Sequence, residues 1–349
     1  MAKFEESVCT VGIWESVNNS GTMMEPVKLA PNRFNKNPTA EWALLCPDCP
    51  AEYLEYLTKY DCTQKISAKR EQSIKSRQWV SADSRCKEFW PYDFLSAFSG
   101  KTILFIGDSI LGQLFRELVT ILYASTKVSV TYVRPYAERW FKHFIVKFHG
   151  ARLRLIFYEM YMYDGINAFY HTTEPHRLDA DDTIVFNFGI HYNEIDQFRE
   201  HMQKVSRDIR ILDTRKHPFP RKIMFMQSVP NHFNSRNGYW LSDNTSQHCN
   251  PYKNMTEAIA LDWRNLIAEE EFANHSRIGF IRIAEALYSQ WDTHVELDSN
   301  KTSIDCTHFC ANPGLFNYMF RMLYNALLQD VWPELRSKRH EWAGGVQRP

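Results

Sequence analysis

The chain has 349 residues, of which 44% are apolar and 14% aromatic, so it can bury the core of one large domain or of two ordinary ones. Its 41 basic and 41 acidic side chains cancel, which excludes a global field that would recruit nucleic acid or an anionic membrane surface. We therefore expect a neutral or only locally charged partner, and no nucleic acid.

The first 98 residues show little periodicity and hold five of the eight cysteines, namely Cys9, Cys46, Cys49, Cys62 and Cys86. An even cysteine count indicates an oxidising lumen, as do five N-x-S/T sequons at Asn18, Asn244, Asn254, Asn274 and Asn300. The opening MAKFEESVCT lacks the apolar core of a signal peptide, and no stretch is long and apolar enough to span a bilayer. We expect a secretory protein whose signal or anchor is missing from this sequence; the alternative is a cytosolic protein with reduced thiols.

From residue 101 onward, strand and helix patterns alternate. Strands are predicted at 102–107, 128–133, 153–158, 183–189, 222–228 and 277–283. Helices are predicted over 110–122, 193–212, 256–274 and 315–328. This alternation predicts a parallel sheet covered by helices on both faces.

Gly107, Asp108 and Ser109 lie where the first buried strand meets its helix. Ligands bind at the carboxyl ends of the strands in an open parallel sheet, so a serine here faces the crevice. Its backbone N–H, at a helix N-terminus, can stabilise an oxyanion. The alternative is that Asp108 or Ser109 only caps the helix.

Asp305 and His308 lie just before the last predicted helix. A serine nucleophile needs an imidazole to accept its proton and a carboxylate to orient that imidazole, and a three-residue step on a tight turn can bring both together. The sequence therefore predicts a Ser109–His308–Asp305 triad. The alternative is a zinc site built from Cys306, His308 and Cys310, with Cys46 and Cys49 as further ligands; we expect no metal and no other cofactor.

Asn187 ends another predicted strand and is followed by Gly189, His191 and Tyr192. Its amide can donate to an oxyanion at the crevice edge. Alternatively, it is a turn residue after a buried strand.

Four ordered segments resemble one known family. They are Cys9 with Trp14; Trp79, Cys86 and Phe94 before GDS; Ser228 to Phe233 followed by Gly238, Trp240 and Cys249; and DCTHFCANPG at 305–314. Together with VFNFG at 185–189, they resemble the SGNH hydrolases, and more narrowly the PC-esterase group that contains the plant trichome birefringence-like polysaccharide O-acetyltransferases.

The chain departs from that family at two places. Gly112 stands where arginine is common, and Asn187-Phe188-Gly189-Ile190-His191-Tyr192 replaces N-T-G-H-W-W. The altered aromatic pair means that a xylan-like substrate does not follow from the resemblance.

The resemblance implies a three-layer SGNH-like α/β sandwich over 99–335, a cysteine-rich region over 1–98 that wraps over it, and a tail over 336–349. It implies disulfides between Cys49 and Cys310, Cys249 and Cys306, Cys9 and Cys62, and Cys46 and Cys86. The implied oxyanion- and substrate-binding residues are Asp108, Gln113, Gly165, Asn187 and His232.

The function implied is glycan O-acetyl transfer from an unknown acetyl donor in the Golgi lumen, through an acetyl-serine at Ser109. An acetylesterase with the same triad is the first alternative. Two others are a non-catalytic glycan-binding protein that stacks sugars on Trp79, Trp90, Tyr192 and Trp240, and a cytosolic thiol-rich regulator with free cysteines.

Overall fold

The structure is a computed structural model. It describes residues 9, 12–16, 60, 62, 68–126, 129–133, 141–148, 151–165, 178–214, 219–235, 238–239, 248–297, 304–311 and 313–329. Cys46, Cys49, Trp240 and the sequons at Asn18, Asn244 and Asn300 lie outside the described residues, as does the predicted tail. Asn254 and Asn274 are described and exposed.

The strands are β1 (Gly12–Ser16), β2 (Arg77–Ser81), β3 (Thr102–Gly107), β4 (Ser129–Val133), β5 (Phe141–Phe148), β6 (Ala151–Glu159), β7 (Thr183–Asn187), β8 (Lys222–Met226), β9 (Ile278–Ile281), β10 (His294–Leu297) and β11 (Ile304–Phe309). The helices are α1 (Ala68–Lys75), α2 (Pro91–Ala97), α3 (Ser109–Thr126), α4 (Ile195–Asp213), α5 (Met255–Ala260), α6 (Trp263–Phe272), α7 (Ala284–Leu287), α8 (Pro313–Leu328) and a 3-10 helix at Trp291–Thr293. Within the described ranges, none of these helices combines the length and apolar character that a membrane span requires.

A seven-stranded sheet with the order β4-β5-β6-β3-β7-β8-β9 forms the centre of the structure. The strands β6, β3, β7, β8 and β9 are parallel, which confirms the predicted parallel sheet for five strands. The edge strands β4 and β5 are antiparallel, so the expectation of a wholly parallel sheet is wrong there. The short connection between β5 and β6 explains this, because neighbouring strands joined by two residues cannot be parallel.

Each face of the sheet has its own apolar core. Ile103 and Phe105 of β3 pack in a core shared with α3 and α8. Leu104 and Ile106 point the other way, into a core shared with α4 and α6. Both faces of β3 are therefore buried under helices, which explains its continuous apolar sequence.

The predicted helix at 256–274 is wrong as a single element, because the structure has α5 and α6 with a break at Leu261 and Asp262. The Asp262 carboxylate accepts hydrogen bonds from the Tyr288 hydroxyl at 2.6 Å and the Asn265 amide at 2.7 Å. These contacts hold Asp262 outside helical geometry, with φ −77° and ψ 66°. Periodicity reports apolar spacing and does not detect a break that a distant hydroxyl stabilises.

The described residues before 98 pack against the C-terminal part of the chain. β1 pairs antiparallel with β2, and the rings of Trp14, Trp79 and Tyr318 contact one another with centroids 5.1 to 5.5 Å apart. The Trp14 indole N–H donates to the Ala286 carbonyl oxygen at 2.8 Å. This region thus shares a core with α7 and α8.

Three disulfides join the described cysteines: Cys9–Cys86, Cys62–Cys310 and Cys249–Cys306. The predicted Cys249–Cys306 pair is confirmed. The pairings of Cys9 with Cys62, Cys46 with Cys86 and Cys49 with Cys310 are wrong, because at least one partner of each is bonded elsewhere. Sequence order does not fix connectivity, which depends on which segments the fold brings within about 6 Å.

Two of these bridges close loops of comparable length, with sequence separations of 77 and 57 residues. Replacing both cysteines of Cys9–Cys86, or both of Cys249–Cys306, by alanine should each lower the free energy of unfolding by about 4 kcal/mol, because the unfolded chain regains loop entropy. Urea unfolding without reductant measures this loss. Alkylation of the native, unreduced protein at Cys249 and Cys306 would show that the bridge is absent in solution.

Candidate active site

Ser109 begins α3 directly after β3, at the carboxyl edge of the parallel sheet. Strand β3 ends at Gly107, where an added Cβ would lie 2.3 Å from the backbone carbonyl oxygen of Asn187 on β7. Only glycine fits this close approach of the two strands. The tight turn that follows leaves the Ser109 side chain partly exposed.

Asp108 caps α3 from inside the protein. Its Oδ1 accepts a hydrogen bond from the Ile110 N–H at 3.0 Å, and the residue is completely buried. Burial raises the pKa of Asp108 to about 6, while the backbone N–H groups of Ile110, Ile190 and Leu111 oppose that rise. The alternative of a helix cap describes the Oδ1 contact, and the predicted role of Asp108 at the oxyanion or substrate stays a prediction.

Asp305 and His308 both lie on β11, and the ring of His308 contacts Ser109 on α3. The Nε2 of His308 is 2.8 Å from the Oγ of Ser109. The Nδ1 of the same ring is 2.9 Å from Oδ2 and 3.1 Å from Oδ1 of Asp305. Each of the Asp305 and His308 side chains keeps 15% of its surface exposed. The three predicted side chains therefore form a continuous hydrogen-bonded chain that opens to solvent.

The local geometry differs from the expected tight turn, because both residues lie on a strand paired with β10. The Oδ1 of Asp305 accepts hydrogen bonds from two residues that follow it in the sequence, from the N–H of Thr307 at 3.1 Å and the N–H of His308 at 2.9 Å. This Asx-type contact fixes the carboxylate where it meets the imidazole.

The electrostatics of the pair favour an ionised Asp305. Burial alone would raise the pKa of Asp305, but the hydrogen bonds and charge of His308 and the N–H of Thr307 outweigh it and hold the pKa well below its usual range. A carboxylate accepts the Nδ1–H and leaves the neutral ring with a lone pair on Nε2. That lone pair can take the Ser109 hydroxyl proton, as nucleophilic attack on an ester carbonyl requires.

Gln113 connects the helix of Ser109 to the strand of His308. Its Nε2 donates to the Phe309 carbonyl oxygen at 2.6 Å, and its Oε1 accepts the Phe309 N–H at 3.3 Å. The side chain is only 1% exposed. Gln113 therefore positions β11 against α3, and its predicted contact with substrate stays a prediction.

Asn187 and Gly165, the two other residues predicted to bind the oxyanion, contact other parts of the protein. The Asn187 Nδ2 donates to the Met226 carbonyl oxygen at 2.8 Å, and Asn187 is fully buried beside Gly107. Gly165 has φ +121° and lies next to Lys204, whose Nζ would be 3.2 Å from an added Cβ. Their roles at an oxyanion stay predictions.

His232 was predicted to bind substrate, and this role stays a prediction; its ring is completely buried. Its Nδ1 is 2.7 Å from the Nε2 of His294, and its Nε2 is 3.0 Å from the Tyr288 carbonyl oxygen. Sequence reasoning missed His294, which is 62 residues away and belongs to no motif.

The triad is bordered by an exposed aromatic pair. Tyr161 and His191 meet edge to face with ring centroids 4.7 Å apart, and the Tyr161 hydroxyl donates to Glu159 at 2.9 Å. Burial, followed by the nearby charge of His308, lowers the pKa of His191. His191 therefore lies close to the triad. Tyr161 belongs to no motif and was not predicted.

Two of the expected sugar platforms lie inside the protein. Trp79 is 6% exposed and Tyr192 is completely buried, so neither can stack on a sugar, whereas Trp90 is exposed.

Gly112 is explained by packing, since an added Cβ would lie 2.8 Å from the ring of Phe157. An arginine side chain has no room there.

The alternative of a zinc site does not fit the cysteines. Cys306 and Cys310 both belong to disulfides, so neither sulfur is a thiolate ligand. In the described part of the chain, no cluster of three His, Cys, Asp or Glu side chains has a metal-binding arrangement.

Comparison of the chain with models of known protein families finds no match, and comparison with curated protein sequences finds none either.

The Gln113 contact has a matched counterpart in Asn265, whose amide binds the Ser228 N–H and carbonyl oxygen in the same two-way manner, at 2.8 and 2.9 Å. Replacing Gln113 or Asn265 by leucine should cost about 1–3 kcal/mol of stability, because buried backbone groups lose their partners. Gln113→Leu should in addition lower kcat for an activated acetyl ester, since β11 then shifts relative to Ser109. Equal kcat losses in both variants would contradict a specific role for Gln113.

Proposed function

We propose that this protein is a carbohydrate O-acetyltransferase in which Ser109, His308 and Asp305 form the catalytic triad. The observation that carries the proposal is the hydrogen-bonded chain from the Ser109 hydroxyl through the His308 ring to the Asp305 carboxylate. These three side chains are also the ones that acyl transfer through serine requires.

In the first half-reaction, His308 Nε2 accepts the Ser109 proton while Oγ attacks the carbonyl carbon of an acetyl ester. The tetrahedral intermediate collapses when the ester C–O bond breaks, and His308 returns the proton to the leaving alcohol oxygen. Ser109 then carries the acetyl group. Asp305 stabilises the imidazolium and does not itself take the proton.

In the second half-reaction, His308 removes a proton from an acceptor hydroxyl, whose oxygen attacks the acetyl-serine carbonyl. Collapse returns the proton to Ser109 and releases the acetylated acceptor. A sugar hydroxyl makes the enzyme a transferase and water makes it an esterase, so the triad is shared by both outcomes.

The oxyanion of each intermediate forms beside the first turn of α3. The N-terminal end of a helix stabilises negative charge through its dipole and its N–H groups. We assign this role to the backbone of Ser109, with Asn187 and Gly165 as the further predicted donors.

The choice of a sugar acceptor is supported by two features. The segments around Ser109, Ser228 and Asp305 resemble those of plant polysaccharide O-acetyltransferases. Tyr161 and His191 also provide exposed aromatic rings near His308, and the flat face of such a ring suits the apolar face of a sugar. We propose on the same grounds that the five-stranded parallel core belongs to an SGNH-like fold.

An oxidising compartment is also proposed. The three disulfides among the described cysteines would be reduced in the cytosol of most cells. Together with exposed sequons at Asn254 and Asn274, this supports passage through the secretory pathway and an acceptor met in the Golgi lumen. It also weighs against a thiol-rich cytosolic regulator.

Ser109→Ala should abolish transfer and hydrolysis while leaving the fold intact, because a partly exposed hydroxyl contributes little to the core. We expect a loss of several orders of magnitude in kcat/KM. The assay incubates the protein with a generic acetyl ester and a panel of neutral oligosaccharides, and mass spectrometry detects the added acetyl group. Acetylated sugar indicates a transferase, and free acetate without it indicates an esterase.

The matched control for this variant is Ser76→Ala, which removes an exposed hydroxyl that bonds to the backbone within its own turn. The control should keep wild-type turnover. Near-native activity of Ser109→Ala in both assays would rule out the triad.

Asp305→Asn tests the carboxylate through both rate and pH. An asparagine keeps the shape but can favour the wrong tautomer of His308, so kcat should fall by about 10⁴-fold. Because the pKa of Asp305 is lowered in the folded protein, its stabilising contribution is present above about pH 4 and is lost as pH falls through the folded pKa. The variant should therefore lose stability less steeply than the wild type below about pH 4, as measured by urea unfolding. An unchanged slope together with an unchanged rate would mean that another group orients His308.

A further inference from the structure

Two buried histidines lie directly behind the strand that carries His308. The Nε2 of His232 is 3.0 Å from the Tyr288 carbonyl oxygen. The Nδ1 of His294 is 3.0 Å from the backbone carbonyl oxygen of His308. The two rings meet between these carbonyls, with His232 Nδ1 and His294 Nε2 2.7 Å apart.

The hydrogen bonds determine how many protons the four ring nitrogens carry. A carbonyl oxygen only accepts, so His232 Nε2 and His294 Nδ1 must each carry a proton. If both rings were neutral, their other nitrogens would be two acceptors facing each other at 2.7 Å. A hydrogen bond at that distance needs one more proton, which makes three protons on four ring nitrogens.

We propose that His232 and His294 share one extra proton, and that this singly charged pair is a positioning element that holds the His308 backbone against Ser109. The positioning role rests on the proposed function, whereas the proton count does not.

Burial and hydrogen bonding act in opposite directions on this pair. Burial lowers the pKa of His232 to about 4. Burial, followed by the charge of His232, lowers the pKa of His294 as well. For each ring taken alone, these effects favour the neutral form. A neutral pair, however, would place two nitrogen lone pairs 2.7 Å apart in the protein interior, and we infer that this repulsion outweighs the burial penalty of one extra proton. A fourth proton on the pair would have no acceptor and would face the full burial penalty.

The two nearby carboxylates favour the single proton, whereas the charge of His308 lowers the pKa of His294. The carboxylates of Asp292 and Asp305 raise the pKa values of His232 and His294 respectively. The other charged or titratable groups around the pair are Arg70, which donates to the His294 carbonyl oxygen; Arg77, which is paired with Asp292; His308; Tyr288; and Tyr252, whose ring lies 4.8 Å from His232.

The pair acts on catalysis through the backbone of β11. The Nδ1–H of His294 fixes the carbonyl of His308, and the His294 ring stacks on Phe309 with centroids 4.5 Å apart. The backbone N–H of His232 also donates to the Cys306 carbonyl oxygen at 3.0 Å. If the shared proton is lost at high pH, the two neutral rings can keep only two of the three hydrogen bonds, so either the ring–ring bond or one carbonyl bond is lost and His308 loses part of its support.

Nitrogen-15 NMR of histidine-labelled protein tests the proton count directly. At pH 7 we expect three protonated nitrogens among the four of His232 and His294, and a strongly downfield bridging proton; His232→Phe and His294→Phe give the assignments. The same count in Ser109→Ala protein separates this result from the fate of the proposed function. Two protonated nitrogens, in a pair that stays neutral between pH 5 and pH 8, would overturn the shared proton.

Activity tests the positioning role. His294→Phe keeps a ring against Phe309 but removes the donor to His308, so kcat/KM should fall by about 100-fold, the effect of a misplacement near 1 Å. His294→Asn restores a donor at the Nδ1 position and should recover most of the rate, without the alkaline decline that the wild type shows when the shared proton is lost. His275→Phe, a buried histidine next to Arg277, is the control and should keep wild-type kcat/KM. Equal rates in His294→Phe and wild type, or an identical alkaline decline in His294→Asn, would overturn the role.

Discussion

The hydrogen bond between Ser109 and His308 is the contact on which the proposed chemistry depends, and its two ends belong to separate parts of the fold. Ser109 is fixed by the central sheet, because β3 is buried between β6 and β7 and feeds α3 directly. His308 lies on β11, which pairs only with β10 in a two-stranded sheet among the described strands. A two-stranded ribbon is marginally stable alone. The rest of the site can therefore be understood as the set of contacts that hold β11 in place.

Those contacts come from several directions. Gln113 joins β11 to the helix of Ser109, and His294 holds it from β10. Most of these polar atoms are buried, where an unmade hydrogen bond costs more than a made one gains. The network thus favours one position of His308 over displaced ones, and the barrier to displacement is set by unpaired backbone groups.

Much of this could be predicted from the sequence, because the relevant signals are local. The run at 102–107 is apolar on both faces and predicted β3 correctly, and the short step from Asp305 to His308 predicted that the two side chains meet. The failures involve contacts between distant residues. Gln113, His232 and Asp108 are polar residues inside or beside motifs, and the sequence did not indicate that each bonds a backbone group. His294 has no local signal, since its partners are a carbonyl and a ring brought together by the fold. The break at Asp262 was missed for the same reason, whereas β5 was missed because no strand was predicted at 141–148.

The disulfides connect the compartment of the protein to its chemistry. Cys306 and Cys310 lie two residues before and two residues after His308, and each is bonded to a different segment, at Cys249 and Cys62. The Cys310 N–H donates to the Thr293 carbonyl oxygen at 2.7 Å, so β11 is tied down just beyond the point where its pairing with β10 ends. Without these bridges, the ribbon must rely on its few hydrogen bonds and on Gln113 and His294. Reduction should then displace His308 before it unfolds the central sheet, whose apolar cores on both faces include none of the four cysteines that tie β11. In this arrangement the sheet provides stability and positions the nucleophile, whereas the oxidised cysteines determine whether the base reaches it.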